Sequence, residues 1–408
     1  MSVSPLRSWQ TPLVILICGC LISIIGFGPR SALGLFLTPM SMAHGWGRDV
    51  FAFALATQML LWGAAQPFIG AIADRFGPVW VMCVGALLYA AGLAWMAYAA
   101  SASALFVSAG VLVGFGLAGT SFTVVIGAFG KLLPQKWRSL SFGAGTAAGS
   151  FGQFLFSPLA VGLTHAFDWL GALLIFAAIV LTIMPLSLAL ASPRIADAPS
   201  QGSPPQSVRN ALVEAFGHWS FLLLVLGYFT CGFQVFFIAV HLPAYLVDRG
   251  LSADIGAWSI AVIGLFNIIG SLGAGYLGDR MPKRYILAII YFLRSVAILA
   301  FISLPASPAS ALIFAAVMGL LWLSTIPPTQ GLVAVMFGVR WLTMLAGFAF
   351  FSHQVGGFLG VWLGGVLFER TGSYDVIWYF TILLGILSAL INLPIVEKPV
   401  ARPATAAA

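Results

Sequence analysis

Apolar runs long enough to cross a lipid bilayer follow one another along this chain, separated by short polar punctuation. A hydrocarbon core about 30 Å thick takes roughly 20 residues of helix. In lipid the backbone must satisfy its own hydrogen bonds, so spanning segments are helices or closed barrels. The run lengths suit helices, and an all-α integral membrane protein is expected. Twelve spans are expected near 12–38, 51–73, 79–99, 103–130, 139–163, 169–191, 219–247, 255–277, 284–304, 309–337, 342–368 and 374–396. With 61% of its residues hydrophobic and 7% charged, the chain has little with which to cover a water-facing surface. The first run leads directly into further spans and lacks a small-residue cleavage site, so it is read as a retained helix.

The net charge of +7 could suggest nucleic acid, but its placement points elsewhere. In the twelve-span arrangement thirteen basic residues fall on one side: Arg7, Arg75, Lys131, Lys136, Arg138, Arg194, Arg209, Arg280, Lys283, Arg284, Arg340, Lys398 and Arg402. Only Arg48, Arg249 and Arg370 fall on the other. This is the positive-inside asymmetry. It puts both termini in the cytoplasm and checks the span count, since one missed helix would invert every later loop. A multi-pass cell membrane protein is expected, with a bacterial inner membrane as its location. Its partners would be membrane lipid and a small molecule, without nucleic acid. Cys18, Cys20, Cys83 and Cys231 all fall in spans without metal-ligand spacing, so they are read as core residues, and no metal or cofactor is expected.

Residues 192–218 form the longest hydrophilic stretch and contain Pro193, Pro199, Gly202, Pro204 and Pro205, the composition of a flexible linker. It divides the chain into a six-span half at 1–191 and a second at 219–396, followed by a tail at 397–408. The halves echo each other. Gly70, Asp74 and Arg75 follow the second span, and Gly275, Asp279 and Arg280 stand at the matching place after the eighth. One Asp-Arg pair in a short loop could be ordinary solvated charge. Two at matching positions argue for an internal repeat, an architecture of many transporters.

With Gly77 added, the first of these loops resembles the Gly-x-x-x-Asp-Arg-x-Gly signature of the major facilitator superfamily. Pro78, Val79 and Trp80 stand where that family has a basic tail, whereas Lys283 and Arg284 keep it in the second half. The resemblance covers nearly the whole chain. It implies two six-helix halves around a central cavity lined by the first, fourth, seventh and tenth spans, and it implies that Gly70, Asp74, Arg75, Gly275, Asp279 and Arg280 form conformational latches. Within the superfamily, Gly26-Phe27-Gly28-Pro29-Arg30 and Lys131-Leu132-Leu133-Pro134-Gln135-Lys136-Trp137-Arg138 resemble elements of the monocarboxylate transporters and the bacterial oxalate/formate antiporters. Arg30 replaces a lysine there, keeping the charge on a planar, bidentate donor. On the eighth span those relatives carry an arginine four residues after Asn or Asp, and here Asn267 is followed by Ser271. That carboxylate ligand has no positional counterpart.

Every acidic residue lies near a span end, whereas Arg30 and Arg294 lie well inside spans. An arginine at the centre of a membrane helix costs roughly 2.5–3.5 kcal/mol on insertion scales. With no buried acid to pair them, a transient anion is one explanation. The others are outward snorkelling of Arg30, carbonyls freed at Gly28-Pro29, or those of a neighbouring span in the case of Arg294. His353, central in the eleventh span, is of a residue type that changes charge near neutral pH, and the antiporter relatives place a basic residue similarly. Gln153, Tyr228, Gln234, Asn267 and Trp322 could shape a cavity, though each alone reads as a helix-packing contact. So do Gln58, Trp62, Gln66, Thr123 and His241.

The leading expectation is alternating-access transport of a small organic anion, a monocarboxylate by resemblance, coupled to protons or to exchange of a second anion. Efflux of amphipathic compounds is the alternative. An intramembrane enzyme is a third class, and no nucleophile-and-base set or metal cluster within the spans supports it.

Overall fold

The computed structural model describes residues 9–36, 40, 43–46, 48–191 and 206–400. Arg7, Arg194, Asp197 and Arg402 lie outside the described residues, as do the side chains of Arg48, Asp49 and Glu369. Every regular element among the described residues is helical.

Ten stretches are long and apolar enough to cross a membrane. One of them, Gln135–Leu190, spans 56 residues, and within it Arg138–Leu181 breaks at Asp168, whose φ of 60° and ψ of 171° leave the helical region. The break is a reversal. Phe156 and Phe176 stack 5.3 Å apart, whereas a straight helix would separate them by about 30 Å. A further helix, Arg48–Phe76, has 29 residues, ample length to cross. Its hydropathy is diluted by Gln58, Gln66 and Pro67. Twelve crossings result, at the expected places.

We number them α1 (Pro12–Ala32), α2 (Arg48–Phe76), α3 (Pro78–Ala97), α4 (Ala102–Leu132), α5 (138–167), α6 (169–190), α7 (Trp219–Asp248), α8 (Ala253–Gly278), α9 (Lys283–Ser303), α10 (Pro308–Phe337), α11 (Leu342–Thr371) and α12 (Asp375–Asn392). Local chemistry sets many ends. Thr11 accepts the Val14 N–H ahead of Pro12 at the first turn of α1, as an N-cap should. Gly77, at φ 90°, makes the α2–α3 turn, and Gly372, left-handed at φ 68°, ends α11.

Two spans are interrupted. In α4 the chain goes extended at Ser121, whose hydroxyl recaps the helix at Val124. In α10 helical bonding stops at Leu321 and resumes at Ile326, ahead of Pro327 and Pro328. Prolines lack the N–H that would continue the ladder.

Gln10 donates to carbonyls of Ala189 and Ala191 at the end of α6, while Val396 and Val400 bond Ser220 and Met336. The first and last described segments therefore lie at one end of the bundle. Leu13, Ile17 and Leu21 of α1 face outward while Ile15 and Ile22 are buried, an exposed apolar stripe that suits lipid rather than water. Glycines bring helices together: Gly85 meets the backbone of Gly119 between α3 and α4, and Gly356 and Gly360 meet carbonyls of α7.

Of the stretch read as a linker, 192–205 lies outside the described residues, and Val208–Phe216 is a helix capped by Ser207. All four prolines of that stretch precede it.

Candidate functional site

At mid-bundle a cavity of about 110 Å³ is lined from eight spans, four in each half: α1, α2, α4, α5, α7, α8, α10 and α11. Arg30, Gln153, Tyr228, Trp322 and His353, all expected from the sequence, face it. Arg30 reaches it from the last turn of α1. Its guanidinium carbon lies 5.8 Å from the Phe27 ring and 5.7 Å from the Trp62 ring, the separation of a cation–π contact. None of the three ion pairs among the described residues includes it. The Gly28 carbonyl, an alternative partner beside Pro29, accepts instead from the Ser31 hydroxyl at 2.6 Å.

Beneath Arg30, toward the end that bears the first and last described segments, aromatic rings from both halves close the cavity. Trp62 and Phe350 lie 5.0 Å apart by centroid, and Phe122 and Phe350 5.8 Å. The His353 ring stacks on Phe350 at an interplanar angle of 9° and lies 4.9 Å from the Tyr228 ring. Its Nδ1 lies 3.2 Å from Gln354 Oε1, its buried Nε2 makes no hydrogen bond within ordinary distance among the described residues, and the Cys231 thiol lies beside the ring. On the opposite side of Arg30 a second cavity, of about 940 Å³, opens between α2 and α11, and Arg30 lines that one also.

Arg294, Gln234 and Asn267 line neither cavity. The Arg294 guanidinium is fully buried and donates to the carbonyls of Leu321 and Trp322, to Gln234 Oε1 at 3.2 Å and to Cys231 Sγ at 3.6 Å. Those carbonyls lie where α10 breaks. Asn267 serves the same break from the other side: its Oδ1 accepts the Leu323 N–H at 2.9 Å, and its Nδ2 donates across the halves to Ser150 at 2.6 Å. Gln234 also donates to the Thr381 carbonyl. Arg294 and Asn267 patch a broken membrane helix whose free polar groups have no water to turn to, and Gln234 braces Arg294 against α12. His241 is held by Tyr374 and the Val361 carbonyl, and Gln58 donates to the Ala109 carbonyl.

The two Asp-Arg loops differ. Asp74 is buried, pairs with Lys131 at 2.6 Å, and accepts the Met344 N–H at 2.8 Å. Met344 lies in the first turn of α11, in the other half, where a carboxylate is favoured by the helix dipole. Gly70 packs beside it: a Cβ there would lie 2.6 Å from the Thr343 carbonyl. Arg75 lies over Phe76. Asp279 is exposed and has no partner among the described residues, and Arg280 stacks on Tyr276. From that loop it is Gly275 that reaches the other half, against the Ser139 carbonyl and Gly143.

Sequence reasoning missed the aromatic plug of Phe122 and Phe350, because an apolar residue on a membrane helix looks the same facing a pocket, a neighbour or lipid.

The family model of the Major Facilitator Superfamily matches residues 19–361. The chain is 26% identical to an uncharacterized MFS-type transporter, YcxA, of Bacillus subtilis (strain 168), over 91% of this chain and 92% of that protein. It is 28% identical to monocarboxylate transporter 11 of Homo sapiens, over 86% of this chain and 75% of that one. Among solved structures, FucP in the outward conformation matches with a TM-score of 0.70 at 15% identity, over 92% of this chain and 98% of that one. The human organic anion transporter MFSD10 matches with a TM-score of 0.68 at 16% identity, over 95% and 100%.

Proposed function

Because the chain belongs to the major facilitator superfamily and is a multi-pass membrane transporter, we propose that its cargo is a small organic anion, foremost a monocarboxylate, carried by alternating access between halves at 1–191 and 219–396. The observation that carries this reading is Arg30, a cation in a pocket between the halves with aromatic rings beside it and no ion-pair partner among the described residues. A guanidinium grips a carboxylate through two charge-assisted hydrogen bonds, and the rings suit an apolar body. The names of the relatives at 24–28% identity, monocarboxylate transporters 11 and 13, agree with it. Both termini and 192–218 are assigned to the cytoplasm on the basic-residue asymmetry. A tag at 192–218 reached only from the far side would reverse that.

A thermal-shift panel of carboxylates beside amphipathic cations tests the cargo, since a ligand of the folded state raises the melting temperature. Stabilisation by carboxylates is expected. Stabilisation by amphipathic cations alone would replace the reading with efflux. In liposomes, uptake driven by an imposed pH gradient would mark symport, with His353 as the proton carrier, and uptake driven only by internal anion would mark exchange.

Asp74 is assigned as the latch that holds the end bearing the first and last described segments shut. Charge-assisted hydrogen bonds contribute about 1.5–3 kcal/mol, so Asp74→Asn should shift the open–closed balance about 10- to 100-fold and lower transport correspondingly. Asp279→Asn should change transport less than about twofold, in line with an exposed charge. Transport rates of the two variants in proteoliposomes, at matched folded protein, check this. Equal losses would restore the equivalence of the two loops.

A further inference from the structure

We propose that the anion carries an apolar body that leaves the Arg30 pocket and lies in the second cavity between α2 and α11, so that the substrate class is amphipathic carboxylates rather than the shortest acids. This rests on Arg30 being the carboxylate ligand.

Three observations carry it. The central cavity, about 110 Å³, is smaller than the roughly 150 Å³ space that takes a benzene ring, which leaves room for a carboxylate and a few carbons. The second cavity, about 940 Å³, is at the upper end of the roughly 300–1,000 Å³ typical of small-molecule sites. Arg30, Phe236 and Ala239 line both, so the cation stands at the wall the two spaces share.

Among the described residues that line the second cavity, Arg30 is the one charged side chain. The cavity's other polar side chains are already engaged: Ser31 donates to the Gly28 carbonyl and Gln58 to the Ala109 carbonyl. The rest is apolar, including Phe53, Met59, Val240, Phe358 and Trp362. One cation at the edge of an apolar chamber complements a molecule with one anionic end and an apolar remainder.

Gly34 supplies a clean test. It lines the second cavity, and a Cβ built on it meets nothing within 4 Å. The first atoms of a larger side chain there meet open space, so a phenylalanine is expected to project into the chamber. Binding of straight-chain acids from acetate to octanoate is measured by isothermal titration on the purified full chain in lipid nanodiscs. Affinity should rise about fourfold per methylene beyond butyrate, the factor that corresponds to about 0.8 kcal/mol per buried CH₂. Gly34→Phe should abolish that rise while leaving acetate and propionate affinity within about twofold.

A flat series in the unmodified protein with normal short-acid binding overturns this inference and leaves the anion reading standing. So does a rise that survives Gly34→Phe. A lipid chain resident in the chamber would produce the flat series. Failure of every acid to bind would instead overturn the anion reading itself.

Discussion

Arg30→Gln is expected to lower organic-anion affinity by roughly 100-fold or more, the scale of losing one partner of a desolvated, hydrogen-bonded charge pair, while leaving the melting temperature nearly unchanged. The two effects separate because Arg30 has little to lose in the empty protein. Its neighbours include the faces of Phe27 and Trp62 and the phenol of Tyr89, ring contacts of about 0.5–2 kcal/mol, and removing a charge without an ion-pair partner among the described residues relieves a desolvation penalty of comparable or larger size. Arg30→Lys should keep part of the affinity, because a point charge survives without the bidentate geometry. Titration calorimetry and thermal melting on one preparation check the result. A destabilised Arg30→Gln protein with normal affinity would make the residue structural.

Arg294→Met should behave in the opposite way, with a loss of about 3–5 kcal/mol in stability and little effect on affinity in the fraction that folds. Removing the guanidinium strands the carbonyls of Leu321 and Trp322 at the break in α10. A buried acceptor left unpaired costs about 1–3 kcal/mol, and Gln234 Oε1 loses its donor as well. Hydrogen bonds between membrane helices average less in mutational cycles, about 0.6 kcal/mol. The larger figure is expected here because several acceptors in one span lose their donor together. Chemical unfolding in detergent measures it. Normal stability with abolished anion binding would move Arg294 into the binding site.

The contrast between these two arginines marks where sequence reading stops. Both are cations inside apolar runs; the family resemblance puts Arg30 on a cavity-lining span and Arg294 on one outside that set, but the runs themselves do not show what either side chain meets. Arg30 faces the space between the halves, whereas Arg294 faces a neighbouring helix that happens to be broken. The twelve spans were legible because lipid forces each segment to be long, apolar and internally hydrogen-bonded. Even α2, diluted by Gln58 and Gln66, stood out as an apolar run at 51–73. Which face of a helix looks inward depends on packing, so five of the eight expected pocket residues face the cavity, while Asn267 and Arg294 repair the break in α10 and Gln234 braces Arg294. Asp74 and Asp279 make the same point. Identical motifs at matching positions meet different surroundings, and only Asp74 finds a helix terminus in the other half.

Because α5 turns into α6 at the single residue Asp168, almost nothing hydrophilic separates these spans for the insertion machinery to push across the bilayer. The two can leave the translocation channel together as a hairpin, moving one carboxylate through the hydrocarbon instead of a solvated loop. Once inserted, they present only the short exposed stretch 165–168 on the far face for a protease or an antibody to grip. Residues 249–252, between α7 and α8, are the more open place on that face for a reporter, whereas one set at 168 would split two helices that enter the membrane as a unit.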